Sequence, residues 1–433
     1  MLAVLVAAVI GWGALLTYNA RGRYRAASHT IVEITRPIAW LPGGVERAVS
    51  TRTTVQVAIV LVATLVMIDI GRRPFARRVA LGALALNGSA VAVVGALGWA
   101  GILTVFHHPH GQGGTPFAAF GYHGNAAAYL DLALPAALVL VATCRSGLAR
   151  VAAILATALI LTGSATQASK AGLAAAVLIV LAFTVASTRR GARSPTRGAH
   201  TSRRSRTGLR VGVVVLILLV ASAGAFASRS RWSELPDELG AHNGRVAVWQ
   251  VAIDTWEKKI VTGSGPGSFK LLLPGVAAAQ EPQLFSKWIV TDYVPGHPVT
   301  IWMVADNDPL QTLAEWGLIG ALLFAAILLW PVVRGLQLRS TQHLDRAVQI
   351  GGLIALGVLY LHMLIDAPLQ IFAIQLTGGL WAAILIATTD ASSGSPSSDR
   401  RADSAEPVVT IFDAWPTEPE PREARMRGRG RVG

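Results

Sequence analysis

Only one cysteine, Cys144, occurs in the 433 residues, so no intramolecular disulfide can form and no thiolate metal site can be built from it alone. Charge is scarce too, at 14% where a soluble domain carries about a quarter. Hydrophobic residues make up 52% of the chain and the mean hydropathy is +0.50. Together these exclude an ordinary soluble domain and indicate an integral membrane protein. Acids are the rarer sign, 24 against 38 Lys and Arg, giving a net charge of +14. In a soluble protein such an excess would suggest nucleic acid. Here the arginines cluster between apolar runs and in the tail, where membrane topology explains most of them, so no nucleic-acid partner is expected. The run at 1–18 lacks a basic leader and a small-x-small cleavage site, and it reads as a first membrane helix rather than a signal peptide. No internal repeat at a solenoid period is present.

A hydrocarbon core about 30 Å thick needs roughly 20 apolar residues per crossing. Runs that meet or approach this fall at 1–18, 53–70, 79–106, 125–144, 148–165, 170–188, 209–227, 313–333, 347–366 and 369–388. They predict an all-α polytopic protein with about ten (10–12) membrane helices. N-terminal helices occupy 1–106 and central ones 107–227. One large extracytoplasmic loop with amphipathic helices fills 228–312, and C-terminal helices fill 313–388. The arginine-rich segment from Arg189 through Arg197 and Arg204 to Arg210 is assigned to the cytoplasm. Alternation then puts Arg72–Arg78, Arg145–Arg150 and Arg334–Arg346 inside, and 107–124 and 228–312 outside. Residues 19–52 conflict with this, because Arg21, Arg23, Arg25, Arg36, Arg47 and Arg52 fall outside. Either a span near the N-terminus is misassigned or those arginines face outward for an anionic lipid ligand. From 389 the chain turns to Ser, Pro, Glu, Asp and Arg, a composition expected to be a disordered cytoplasmic tail.

The outer loop holds the chemistry-bearing residues. Asp306-Asn307-Asp308-Pro309 runs directly into an apolar helix. Asp306 or Asn307 suits an N-cap and Pro309 the first turn, yet polar groups at the mouth of a membrane helix also suggest a surface site. Upstream, Val246, Trp249, Ile253 and Trp256 recur at helical spacing and predict an amphipathic helix, with Asn243 as its cap. Arg245 lies in its first turn, beside the positive end of the helix dipole. It is either a solvated or snorkelling side chain or, with the helix N-terminus, a holder of an anionic group. Gly263-Ser264-Gly265-Pro266-Gly267-Ser268-Phe269 lacks the Gly-Lys-Ser/Thr ending of a phosphate-binding loop and reads as a tight turn. His107, His108 and His110, with His123 further on, form a weak metal motif: adjacent histidines do not easily share an ion and no acid lies close by, so no metal is expected. Asp131 and Asp366 are acids inside or near apolar spans, functional candidates or partners of neighbouring helices. Lys170, at a membrane edge, either snorkels or supplies a second cation.

In order along residues 115–388, these fragments resemble the O-antigen ligase and polymerase family of polytopic membrane glycosyltransferases. Gly121-Tyr122-His123-Gly124-Asn125 through Pro135 resembles the family's Asn-containing turn before a long span. Thr162-Gly163-Ser164 through Ser169-Lys170-Ala171-Gly172 resembles its Ser-Arg-Gly stretch. Arg245 with Trp249, then Gly263–Phe269, resembles its Arg…Trp and Gly-x-Gly-x-Phe segment. Asp306-Asn307-Asp308-Pro309-Leu310-Gln311 through Gly320 resembles its His-Asn-x-Tyr-Leu-Gln…Glu-x-Gly-x-x-Gly signature. The resemblance implies transfer of a glycan from an undecaprenyl-diphosphate carrier to a glycan, lipid or protein hydroxyl, without metal or other cofactor. It implies a bacterial cytoplasmic membrane location with the large loop outside, in company with other polysaccharide-assembly membrane proteins. Arg245 and Lys170 would hold the diphosphate, with Asn307, His123 and Asn125 at the substrate. Two departures stand out: the family's arginine is Lys170, which keeps charge but loses the bidentate fork, and its histidine is Asp306. A carboxylate can act as general base, or His297 can occupy the same space. The competing expectations are a transporter or flippase for such lipids, and an inactive relative acting in assembly.

Overall fold

The computed structural model describes residues 1–25, 30–34, 38–103, 116–167, 169–189, 244–273, 304–338 and 342–393. Nine of the ten apolar runs form helices within these residues: α1 (Leu2–Tyr18), α2 (Arg47–Gly71), α3 (Pro74–Trp99), α4 (His123–Thr143), α5 (Gly147–Thr166), α6 (Lys170–Arg189), α8 (Asp308–Gln337), α9 (His343–Ile365) and α10 (Phe372–Ser393). The amphipathic segment forms α7 (Gly244–Glu257). The run at 209–227, most of the arginine-rich segment, the histidines at 107–110, Asn243 and His297 lie outside the described residues. Eight of the described helices are long and apolar enough to cross a membrane, and α1, at 17 residues, falls just short. Their outward faces are apolar as well: Ile59, Val66, Leu86, Leu155, Leu322 and Leu329 are all exposed. A surface meeting hydrocarbon requires this, and the fold is an all-α polytopic membrane protein. One small β-hairpin, β1 (Gly22–Arg25) with β2 (Thr30–Glu33), is an addition that no apolar run announces.

The centre of the bundle is α4, buried without interruption from Ala126 to Val139. Small residues let its neighbours approach: Gly88 of α3 sits against Ala133, and Gly172 of α6 against Ala127, where an added methyl would collide. Pro135 has no N–H for the carbonyl one turn back. Beside it the Trp381 indole donates to the Leu132 carbonyl at 2.9 Å, tying α10 to α4.

The two ends of the bundle differ. At one end Arg77 of α3, almost fully buried, pairs with Asp345 of α9 at 3.0 Å and donates to Thr388 of α10 at 2.7 Å. Topology alone therefore does not account for Arg77; its guanidinium is an internal tie. At the other end lie the α1–α2 connection and the glycine-rich turn. Gly44 N–H donates to the Leu16 carbonyl and Val45 N–H to the Ser264 carbonyl, both at 2.8 Å. Asn19 anchors the connection by donating to the carbonyls of Ile38, Leu41 and Pro42. The described residues of this arginine-bearing segment thus lie at the same end of the bundle as the 263–269 turn.

α8 is broken. Gly317 adopts φ 65°, ψ −173°, which separates a short N-terminal half from the half that runs on to Gln337. The break frees carbonyls on one side and N–H groups on the other, and hydrocarbon offers neither a partner. The segment 260–265 supplies both. Ser264 N–H donates to Ala314 carbonyl at 2.9 Å and Gly265 N–H to Glu315 carbonyl at 2.7 Å, while Leu318 N–H donates to Ile260 carbonyl at 2.9 Å. A glycine-rich segment can approach this closely because neither Gly263 nor Gly317 has a side chain to collide with the other backbone.

Candidate active site

Four elements converge at this end. Asn307 is the N-cap of α8: its Oδ1 accepts the Leu310 N–H at 2.9 Å, and its Nδ2 donates to the Leu364 carbonyl at the end of α9, also at 2.9 Å. Asp306 precedes it with a left-handed φ of 47°, and its carbonyl accepts the Trp249 indole N–H from α7. Its carboxylate faces Arg245: Nε to Oδ2 is 3.4 Å. Arg245 also donates from Nη2 to the Tyr122 hydroxyl at 3.4 Å. Tyr122 is the N-cap residue of α4, stacked obliquely on His123. Asp366, C-cap of α9, lies against Gly124 beside the Tyr122 ring.

The electrostatics follow from this packing. Burial pushes the Tyr122 hydroxyl up to about 12, with Asp366 adding to the rise and Arg245 opposing it, so it stays protonated. Burial works against the Arg245 charge, but Tyr122, Asp306 and Asp366 outweigh it and raise its pKa, keeping the guanidinium charged. Burial also lifts Asp366 above the ordinary carboxylate range, against the Ala367 N–H and the charges of Arg245 and His362.

The other face of the α8 turn is a carboxylate-and-amide relay. Asp308 accepts the Leu369 N–H at 2.8 Å and the Gln370 amide at 3.2 Å. Gln311 accepts the Ala305 N–H and donates to Glu315 at 3.0 Å. Glu315 in turn accepts the N–H groups of Gly267 at 2.7 Å and Phe269 at 3.2 Å. The glycine-rich segment therefore cradles a carboxyl group, and that group is the protein's own buried Glu315. Replacing Glu315 by Ala leaves two buried N–H groups unpaired, at a cost of about 2–5 kcal/mol. We expect lower thermal stability in detergent and faster amide exchange at Gly267 and Phe269. Beside this face a cleft of about 410 Å³ opens, with Arg52, Lys270 and Gln56 among its polar lining. It shares Val57, Phe324, Leu328, Leu369 and Gln375 with a smaller apolar pocket among α2, α8, α9 and α10.

Arg245, Asp306 and Asn307, singled out in the sequence, thus meet in space. His123 begins α4 next to Tyr122. Asn125 lies inside the first turn of α4 and does not cap it; Tyr122 holds the cap position without a side-chain bond. Lys170 begins α6 at this same end, where Gly172 packs on Ala127 one turn along α4 from His123. The buried face of α7 also differs from the expected stripe: Val248, Val251, Ala252 and Thr255 are buried, and Val246 is exposed. Both rows recur at helical spacing, so periodicity alone did not separate them. Sequence reasoning missed Tyr122, Glu315 and His362 as site residues. The Gln311–Glu315 spacing of four was a legible signal, and His362 was the lone histidine inside its apolar run.

These features define a polytopic all-helical membrane protein with a broken helix and a charged site at one end of the bundle. Residues 132–325 match the family model described as O-Antigen ligase. Lys170, Arg245, Glu315 and the Asp306–Asn307 turn lie inside the match; Tyr122, His123, Asn125, His362 and Asp366 lie outside it. No curated protein matches the chain.

Proposed function

We propose that this O-antigen ligase/polymerase-type membrane glycosyltransferase takes a glycan from an undecaprenyl-diphosphate carrier and joins it to an acceptor hydroxyl on the outer face of the cytoplasmic membrane. The observation that carries the reading is Arg245, held charged between Tyr122 and Asp306 within the family domain. Departure of a lipid diphosphate builds negative charge, and a fixed guanidinium stabilises that charge more in the transition state than in the ground state. Lys170, at the same end, is the second cation of this reading, and Asn307, His123 and Asn125 line the approach. Arg245 is flanked by two carboxylates, Asp306 and Asp366, as proton acceptors. The cleft beside Asp308 supports a substrate with a charged head and a lipid tail, because cations at its polar part grade into apolar walls. The outer orientation rests on Arg72, Arg73 and Arg145 in the connections at the opposite end, with Arg150 and Arg346 in the first turns of the helices that follow.

A strain lacking this chain is expected to lose or shorten one surface glycan and to accumulate its lipid-linked precursor on the outer face. Accumulation on the inner face would instead support the transporter reading, and an unchanged surface would count against both.

A further inference from the structure

The transfer reaction, on whose reading this inference rests, needs a base for the acceptor's proton. Asp306 is poorly placed for that work. Its Oδ2 faces the Arg245 guanidinium at 3.4 Å, and an ion-paired carboxylate is the weaker proton acceptor. Asp366 lies in the field of Arg245 but is not its partner in that close pair. Its Oδ1 accepts the N–H of Ala367 at 2.8 Å, and its Oδ2 occupies the space a side chain at Gly124 would take, beside the Tyr122 ring. One turn back on α9, His362 is 5% exposed, and its Nε2 lies 2.9 Å from Oδ2 of Asp131 on α4. Asp131 is fully buried, and its second oxygen has no hydrogen-bond partner among the described residues. An acid with an unmet oxygen, paired to a histidine inside a membrane bundle, is a costly arrangement for a plain helix tie. This pair lies one helical turn from Asp366, whose N–H donates to the His362 carbonyl at 2.8 Å.

We propose that Asp366 is the general base of the transfer, and that His362 and Asp131 are positioning residues that hold and tune it from beneath. In this step the acceptor O–H bond breaks and its proton passes to the Asp366 carboxylate. The acceptor oxygen's electron pair forms the new bond to the anomeric carbon, and the carbon–oxygen bond to the diphosphate breaks. Its electron pair leaves on the diphosphate, whose charge Arg245 meets. The charged and titratable groups facing Asp366 are Tyr122 from the start of α4, Arg245 from α7, Asp308 from α8 and His362 from its own helix. Those facing His362 are Asp131 and Asp366. The family's missing histidine is thus replaced by a different carboxylate, backed by a histidine from a different helix.

The test is glycan transfer by purified, liposome-reconstituted protein as a function of pH, with a polyprenyl-diphosphate glycan donor and a hydroxyl acceptor. Asp366→Asn is expected to lose about 10²–10⁴-fold in rate, the usual share of a general base. Asp306→Asn loses about tenfold or less, the worth of a partly exposed ion pair. Activity rises with pH as Asp366 deprotonates. The field of His362 lowers the Asp366 pKa, so His362→Gln moves the acidic limb to higher pH, and Asp131→Asn, which leaves His362 without its carboxylate partner, moves it the same way. A merely structural role would lower the amplitude and leave the limb in place. These near-isosteric changes are checked for folding by gel filtration, and either of the two positioning variants suffices for the limb. Equal losses in Asp366→Asn and Asp306→Asn, or a limb unmoved in an active His362→Gln or Asp131→Asn protein, overturn the assignment alone. A wild-type protein that makes no product overturns the transferase reading and this assignment with it.

Discussion

Arg245→Ala is expected to lower glycan transfer by about 10²–10³-fold, the cost of removing one preorganised donor from a developing anion. Membrane insertion and protein amount should stay at the wild-type level, because the Arg245 side chain is 36% exposed. The loss has two parts. The diphosphate loses its fixed cation, and Asp306 is left beside the site without its partner, adding a negative charge where the leaving group must build one. Arg245→Lys separates charge from geometry: it restores the cation but not the planar fork, so it should recover only part of the rate. The check is transfer per mole of inserted protein. Full activity in Arg245→Ala would remove Arg245 from the mechanism.

The second large effect is structural. Gly317 sits at φ 65°, ψ −173°, a region open essentially to glycine alone. A Cβ there would strike backbone atoms of Val261 and Gly263, which cannot move without breaking the bonds that satisfy the interrupted helix. Gly317→Ala should therefore destabilise by more than about 4 kcal/mol, enough to prevent accumulation of folded protein. Gly263→Ala meets the Glu315 carbonyl and the Gly317 N–H and should behave alike. Gly82→Ala and Gly357→Ala are the controls. Both point into open space on helices, and alanine there should be neutral or stabilising by about 0.5–1 kcal/mol. Thermal unfolding in detergent, followed by gel filtration, reads all four. A Gly317→Ala protein as stable as Gly82→Ala would mean α8 is continuous and its junction with the 260–265 segment absent.

The membrane helices were legible because hydrocarbon imposes a length and leaves no choice of backbone, so nine apolar runs became nine helices. The break at Gly317 was not legible. Its glycine resembles any other inside an apolar run, and only the segment at 260–265, some fifty residues earlier in the chain, makes the broken backbone affordable. At the site, Arg245 and Asp306 were legible because each stands out in its own local pattern: a cation at a helix N-terminus, and an acid before a cap. That they pair at 3.4 Å is a tertiary fact. Tyr122, His362 and Asp366 were harder to read, since their meeting depends on the start of α4 packing against the end of α9. Asp131 was flagged as an intramembrane acid, but its partner His362 lies 231 residues away. A charge rule that counts arginines per loop cannot see that Val45, within residues 19–52, is bonded to Ser264.

The most direct test of the transferase account uses the intact protein in sealed liposomes with a polyprenyl-diphosphate-linked glycan, with and without a hydroxyl acceptor. The account predicts that glycan appears on the acceptor and polyprenyl diphosphate is released only when acceptor is present, and that both are lost with Arg245→Ala. Movement of the lipid-linked glycan across the bilayer without any product on the acceptor would contradict it.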